Sequence, residues 1–197
     1  IHGSRRSLFI GLTVSALTLV VGVFTGAVAA FYGGLTDMII MRITDIIFSL
    51  PVIVICIIVI AVTGVGTGNL IFALVLANFV VYTRLIRSSI LSIKNVEYVE
   101  AARAIGCGNM TVIMKHIVPN VLGPCIIQAF AGAGGMIIWI SSLSFIGLGV
   151  QPPVPEWGSI MSLGKQFMVR APHMIIITGL VMMLTAISLN LFGDGVR

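Results

Sequence analysis

The chain is 197 residues long, 58% hydrophobic and 9% charged, where a soluble domain carries about a quarter charged residues. So little polar side chain cannot cover a globule in water, which leaves a lipid bilayer as the solvent for most of it. The formal charge of +5 comes without like-charge runs or basic–aromatic interleaving, which excludes nucleic acid as an expected partner.

In chain order, five segments reach the roughly 20 apolar residues that a helix needs to cross the hydrocarbon core. Residues 7–31 come first, with Gly22 and Gly26 spaced so that two helices can approach closely in lipid. This segment is too long and too rich in glycine for a signal peptide. The second, 39–62, has Pro51 as its expected kink and a tight exit turn at Gly64, Gly66 and Gly68. The third, 69–86, ends in Tyr82, Arg84 and Arg87, an interfacial anchoring pattern. The fourth, 124–147, holds Gln128, Gly132, Gly134 and Gly135, the candidates for lining a path. The fifth is 174–192. The first three spans are joined too closely to leave room for another domain. The expected fold is therefore all-α, a single polytopic transmembrane helical domain over 1–197. Beginning at Ile1 beside a span, the sequence reads as a fragment of a longer protein.

Lys and Arg counts set the orientation. Arg84, Arg87, Lys94, Arg103 and Lys115 lie between the third and fourth spans, against Lys165 and Arg170 between the fourth and fifth. The excess places the 88–122 connector in the cytoplasm and residues 151–172 outside. Arg5 and Arg6 fall outside in this scheme and count against it.

Two short helices are expected in the connector. Asn95 is a candidate N-cap, Gly106 a left-handed terminator, and Tyr98, Ala101, Ala102 and Ile105 share one face. A second helix carries Met110, Ile113, Met114 and Ile117 on one stripe and is expected to stop at Pro119. Glu100 and Arg103 can offer charge-assisted contacts beside the small Ala101 and Ala102. Periodicity alone leaves two readings open, docking into a partner or lying on the inner headgroup surface in contact with membrane lipid.

Other polar residues have local explanations. Asp45, three residues after Arg42, is expected to pair with it. Asn78, Gln128 and Asn190 suit interhelical hydrogen bonds. Cys56, Cys107 and Cys125 lack metal-ligand spacing and read as free thiols. Gly106 and Gly108 lack the lysine and hydroxyl residue of a phosphate-binding loop. No nucleophile–base pair is recognisable, so neither catalysis nor a metal or other cofactor is expected.

Glu100-Ala101-Ala102, Gly106 four positions later and Pro119 thirteen beyond that together resemble the coupling loop of bacterial ABC-importer permeases. His116 stands where that pattern has an aliphatic residue, with Ile117 beside it. A second stretch, 144–158, contains Gly147, Gly149, Gln151, Pro152, Pro153, Glu156, Trp157 and Gly158. It resembles the external loop of the dipeptide/oligopeptide/nickel permease subfamily, with Trp157 as an interfacial anchor. Residues 190–197 resemble that subfamily's end of the last span.

The resemblance implies an inner-membrane, multi-pass subunit of a prokaryotic importer, with six spans when whole and the first outside this sequence. It implies cytosolic ATP-binding subunits docked on Glu100, Ala101, Ala102, Arg103, Gly106 and Pro119, a homologous second permease, and an extracytoplasmic solute-binding protein. ATP hydrolysis would belong to the partners. For substrate, free metal would favour His, Cys or carboxylate ligands along the path, whereas the spans supply amides, hydroxyls and methionine. Peptides are expected, with nickel or a metal chelate as the alternative. The competing class is a secondary transporter or channel without an ATPase.

Overall fold

The computed structural model describes residues 2–151 and 153–195; Pro152 and Arg197, both in stretches singled out above, lie outside them. All regular structure among the described residues is helical. In order come α1 (His2–Tyr32), α2 (Gly34–Phe48), α3 (Val52–Thr63), α4 (Thr67–Ile93), α5 (Glu97–Ala104) and α6 (Asn109–Thr111). A π-helical turn (Val112–Ile117), α7 (Val118–Phe145), α8 (Trp157–Gly164) and α9 (His173–Gly195) complete the chain.

Four helices are long and apolar enough to cross a membrane: His2–Tyr32, Thr67–Ile93, Asn109–Phe145 and His173–Gly193. The second expected span is different, because α2 and α3 meet at 94°. Pro51 does not kink a continuous helix. It is the residue before α3, at φ −58° and ψ 138°, and the backbone leaves the helix there. Pro119 corrects a second expectation. It does not stop the connector's second helix, which runs on as the 37-residue Asn109–Phe145. Pro119 occupies the first turn of α7, where its missing N–H is tolerated, and the turn before it widens into the π-helix.

α1 and α4 form the central pair, and glycine sets their distance. Gly22 lies against Tyr82 and Thr83, and a Cβ on Gly26 would stand 2.6 Å from the Thr83 carbonyl oxygen. The Thr25 and Thr83 hydroxyls meet 2.7 Å apart across this contact. α7 packs on another side of α1, where Gly11 faces Ile137, and α9 packs on α7 with Gly134 against the Ala186 carbonyl.

Two apolar clusters follow from this arrangement. Near the start of α1, Ile10 and Val14 join Ile60, Leu70, Leu74 and Leu143. Near its end, Ala27 and Ala30 join Ile86, Ile90, Val99, Ile113 and Ile117. The second cluster contains the connector; the first borders the 146–156 loop. These are called below the connector end and the loop end.

Three polar expectations change. Asp45 pairs with Arg84 on α4 at 2.8 Å instead of with Arg42. Asn78 donates to the Leu74 carbonyl of its own helix at 2.8 Å, not across helices. Tyr82 is buried in the α1–α4 contact and is no interfacial anchor.

Gly26→Val should lower the thermal unfolding midpoint in detergent, because overpacking at a backbone contact costs about 2 kcal/mol. Gly135→Ala, at a glycine with no neighbour within 4 Å of its Cβ position, should leave the midpoint unchanged.

Candidate functional site

The connector begins as a direct extension of α4. Ile86 and Ile90 are fully buried, Lys94 donates to the Ala30 carbonyl at 3.4 Å, and Val96 opens α5. Val96, not Asn95, is the residue before the helix, and no side chain caps it. Val99 and Ala102 turn inward and join the connector-end cluster. Tyr98, Glu100, Ala101, Arg103 and Ile105 are exposed. The expected common face of Tyr98, Ala101, Ala102 and Ile105 is therefore split: Ala102 belongs to the core and the other three point away from it. The second stripe splits too, with Ile113 and Ile117 buried and Met110 and Met114 exposed.

α5 ends as the sequence anticipates. Gly106 adopts φ +84°, Cys107 N–H donates to the Ala102 carbonyl at 3.1 Å, and Gly106 N–H donates to the Arg103 carbonyl at 2.9 Å. This is a Schellman-type termination. Nothing lies within 4 Å of a Cβ placed on Gly106, so glycine is needed there for its backbone conformation and not for space. The Arg103 guanidinium stands 5.1 Å from the Phe31 ring centroid, within cation–π range and tied to the end of α1. Pro119 is exposed one helical segment away. The arrangement is a short helix packed by one face on the π-turn that leads into α7, sharing an apolar cluster with α1 and α4, with a mixed face of charge, Ala101, Tyr98 and Ile105 left open.

The second candidate stretch, at the opposite end, is organised by Glu156. Its side chain is fully buried. Oε1 accepts from the Ser7 hydroxyl at 3.1 Å and the Ser141 hydroxyl at 2.9 Å, while Oε2 accepts from Ser159 N–H at 3.1 Å. Ser159 Oγ in turn accepts from Glu156 N–H at 3.1 Å, closing a capping box at the start of α8. One carboxylate thus joins α1, α7 and α8. Trp157 is 3% exposed, and its N–H donates to Ser7 Oγ at 3.2 Å, so it is a buried wedge and not the interfacial anchor expected.

Gly158 lies against the Ser141 backbone. Gly147 turns the chain at φ +88°. Gln151 donates to the Gly147 and Gly149 carbonyls at 3.0 and 3.2 Å, Gly149 lies against Ser144, and Pro153 follows within the turn.

The four path candidates on α7 do not form one line. Gln128, Gly132 and Gly135 share a helical face: Gln128 is exposed, Gly132 lies by the Tyr82 hydroxyl, and Gly135 has open space. Gly134 faces α9, packed against Ala186 and Asn190.

Sequence reasoning missed two features. One is Glu156 as a hub, foreshadowed by hydroxyls at Ser7 and Ser141 inside apolar spans. The other is a pair of α2–α4 ion pairs near the connector. Asp37 and Asp45, two helical turns apart, face Arg87 and Arg84 respectively on the neighbouring antiparallel helix.

Residues 19–197 match the family model described as binding-protein-dependent transport system inner membrane component. The chain is 38% identical over its full length to a dipeptide transport system permease protein of Alkalihalophilus pseudofirmus. It is 37% identical over 99% of its length to a glutathione transport system permease protein of Pectobacterium atrosepticum. A di/tripeptide transport system permease protein of Pseudomonas aeruginosa is 34% identical over the whole chain. The chain spans 65% of the length of each of these relatives. Among solved structures, the inward-facing MetNI methionine ABC transporter matches with a TM-score of 0.76. That match has 18% identity and covers 98% of this chain and 92% of that one. An amino acid ABC transporter matches at 0.72 with 13% identity, covering 96% and 88%. At those identities the likeness shows a shared fold.

Glu156→Ala should leave three buried donors without their acceptor, each costing about 1–3 kcal/mol. The thermal midpoint in detergent should fall sharply, and protease should cut the 146–156 loop faster than in the unmodified protein.

Proposed function

The chain belongs to the binding-protein-dependent transport system inner membrane component family, and on that premise we propose that it is a permease subunit of an ATP-driven peptide importer. As a multi-pass inner-membrane protein it would supply half of a translocation path. A homologous permease would supply the other half. Separate cytosolic subunits would hydrolyse ATP, and an extracytoplasmic binding protein would deliver the peptide at the loop end.

The observation that carries this reading is the two-faced connector. Val99 and Ala102 fix α5 to the ends of α1, α4 and α7, while Glu100, Ala101, Arg103 and Gly106 stay exposed beside a defined helix end. A helix held by its inner face, with the small Ala101 between Glu100 and Arg103 and with Tyr98 and Ile105 also outward, suits seating in a groove of another protein. A partner pushing on α5 pushes on the turn that leads into α7 and, through the shared cluster, on the ends of α1 and α4. Lying flat in headgroups would bury one apolar side, whereas here Val99, Ala102, Ile113 and Ile117 are taken up by the protein's own core and Tyr98, Ile105, Met110 and Met114 are left outside, open to a partner.

Peptides are favoured as substrate because three relatives between 34 and 38% identical are named for dipeptides, di/tripeptides and glutathione. Gln128, Gly132 and Gly135, on one face of α7, are proposed as path-lining. They offer room and a single amide, consistent with a path that carries varied peptides and leaves selection to the binding protein.

Two measurements test the reading on the full-length protein. Glu100→Lys should weaken ATPase-subunit binding about tenfold, the loss of one charge-assisted contact. Peptide uptake by an auxotroph should fall with it at unchanged protein level; wild-type uptake would remove the coupling role. A membrane-impermeant thiol reagent should label a cysteine at the exposed Val169 from outside and one at Asn109 only after permeabilisation. The reverse labelling would put α5 out of reach of any ATPase. Nickel accumulation without peptide rescue would transfer the substrate to the metal class.

A further inference from the structure

Apolar packing does little to seat α2. Thr44 is its buried residue, while Leu35, Ile39, Ile43 and Ile46 remain exposed. It leaves α3 at 94° across a non-helical joint at 49–51. Its link to α4 is made by charge, through two ion pairs that differ in kind.

Arg87 grips Asp37 in a fork, Nε and Nη2 lying 2.5 and 2.6 Å from the two carboxylate oxygens. Such a bidentate pair is fixed in direction as well as in distance. Arg84 reaches Asp45 through Nη2 alone, at 2.8 Å. Its guanidinium lies 4.3 Å from the Phe48 ring centroid, and its Nε is buried without a hydrogen-bond partner. One pair is fully made and the other half made.

The half-made pair also has an alternative. Arg42 stands one turn before Asp45 on the same helix, is exposed, and pairs with no carboxylate among the described residues. At that spacing it can take Asp45 without any backbone movement. Asp37 has no basic residue within four positions on α2; besides Arg87 only the more distant charge of Lys94 is felt there, and it makes no hydrogen bond to Asp37 among the described residues. A lone carboxylate in or beside hydrocarbon is strongly disfavoured.

Position gives this asymmetry a use. Arg87 lies between Ile86 and Ile90 of the connector-end cluster, with Arg84 just before them, and α4 ends at Ile93, a short turn before α5. Motion imposed on α5 therefore reaches the two arginines through the segment of α4 that carries them. We propose that Asp37–Arg87 is the pivot on which α2 swings relative to α4 during transport, and that Arg84–Asp45 is the releasable contact, Asp45 passing to Arg42 when α2 moves. These are positioning residues: they carry connector motion into α2 and α3 and touch neither peptide nor ATP. The inference rests on reading the chain as an ATP-driven permease.

The test uses the full-length chain assembled with its second permease, ATPase subunits and binding protein in proteoliposomes, with peptide uptake and ATP hydrolysis measured together. Asp37→Arg and Arg87→Asp, each alone, should cut peptide moved per ATP about tenfold, within the range usual for coupling between sites. The double charge swap should restore it. A second arm replaces Cys56, Cys107 and Cys125 with alanine and adds cysteine pairs for a bifunctional thiol crosslinker. Linking positions 45 and 84 should block uptake, and linking 37 and 87 should not.

Equal block by both links would overturn the pivot, as would unchanged coupling in the single charge reversals. A swap that leaves the thermal midpoint native without restoring coupling would also overturn it. Failure of the unmodified assembly to import peptide or bind ATPase subunits would instead overturn the permease reading.

Discussion

The approach of α1 to α4 through Gly22 and Gly26 sets where everything else can go. Hydrocarbon offers no hydrophobic drive to bring helices together, so close backbone contact and the hydroxyl pair Thr25–Thr83 must supply it. Once α1 and α4 lie against each other, a shared line runs from one end of the bundle to the other. One cluster gathers along its first half and the other along its second, and α7 closes both. Both candidate functional regions hang from the ends of that line. Ser7, near the beginning of α1, meets Glu156, and Ala27, Ala30 and Phe31, near its end, receive α5.

The polar side chains obey the same solvent. Thr18, Asn78, Ser142 and Thr178 return a hydrogen bond to the carbonyl four residues back, which satisfies them without a partner helix. Groups that the helix cannot satisfy alone are the ones that fix tertiary geometry. Glu156 draws donors from three helices, and the two aspartates of α2 draw arginines from α4. Charge in this chain is sparse, and much of it acts as a fastener between elements.

Much of the fold was legible because a bilayer imposes one period and one length. The apolar segments predict the places of α1, α4, α7 and α9, although α4 runs about two turns past its expected end and α7 begins about two turns before its expected start, and Gly106 reveals its left-handed conformation through the helix pattern around it. The misses share a cause. Proline reads the same in sequence whether it kinks, starts or interrupts a helix, so Pro51 and Pro119 needed their surroundings: a broken joint at one, a π-turn at the other. Asp45 looked toward Arg42 because local spacing was visible and the packing of α2 on α4 was not. The amphipathic faces of the connector helices were visible as stripes, but periodicity could not say which side the bundle would claim. Val99 and Ala102, not Tyr98 and Ile105, turned out to be inside.

The π-turn at Val112–Ile117 has a consequence for how this region can change over time. An α-helix turns about 100° per residue, so one residue gained or lost re-aims every side chain beyond it. Because Asn109–Phe145 is unbroken, no loop can absorb such a shift. A single deletion between Val118 and Ala133 would swing the Gly134 face of α7 away from its neighbours while leaving the connector where it is, whereas one within Val112–Ile117 would let the wide turn close to an ordinary α-turn. The phase of the span is tied to the phase of the connector along α7, and the π-turn is where one residue of length can be given up without breaking that tie.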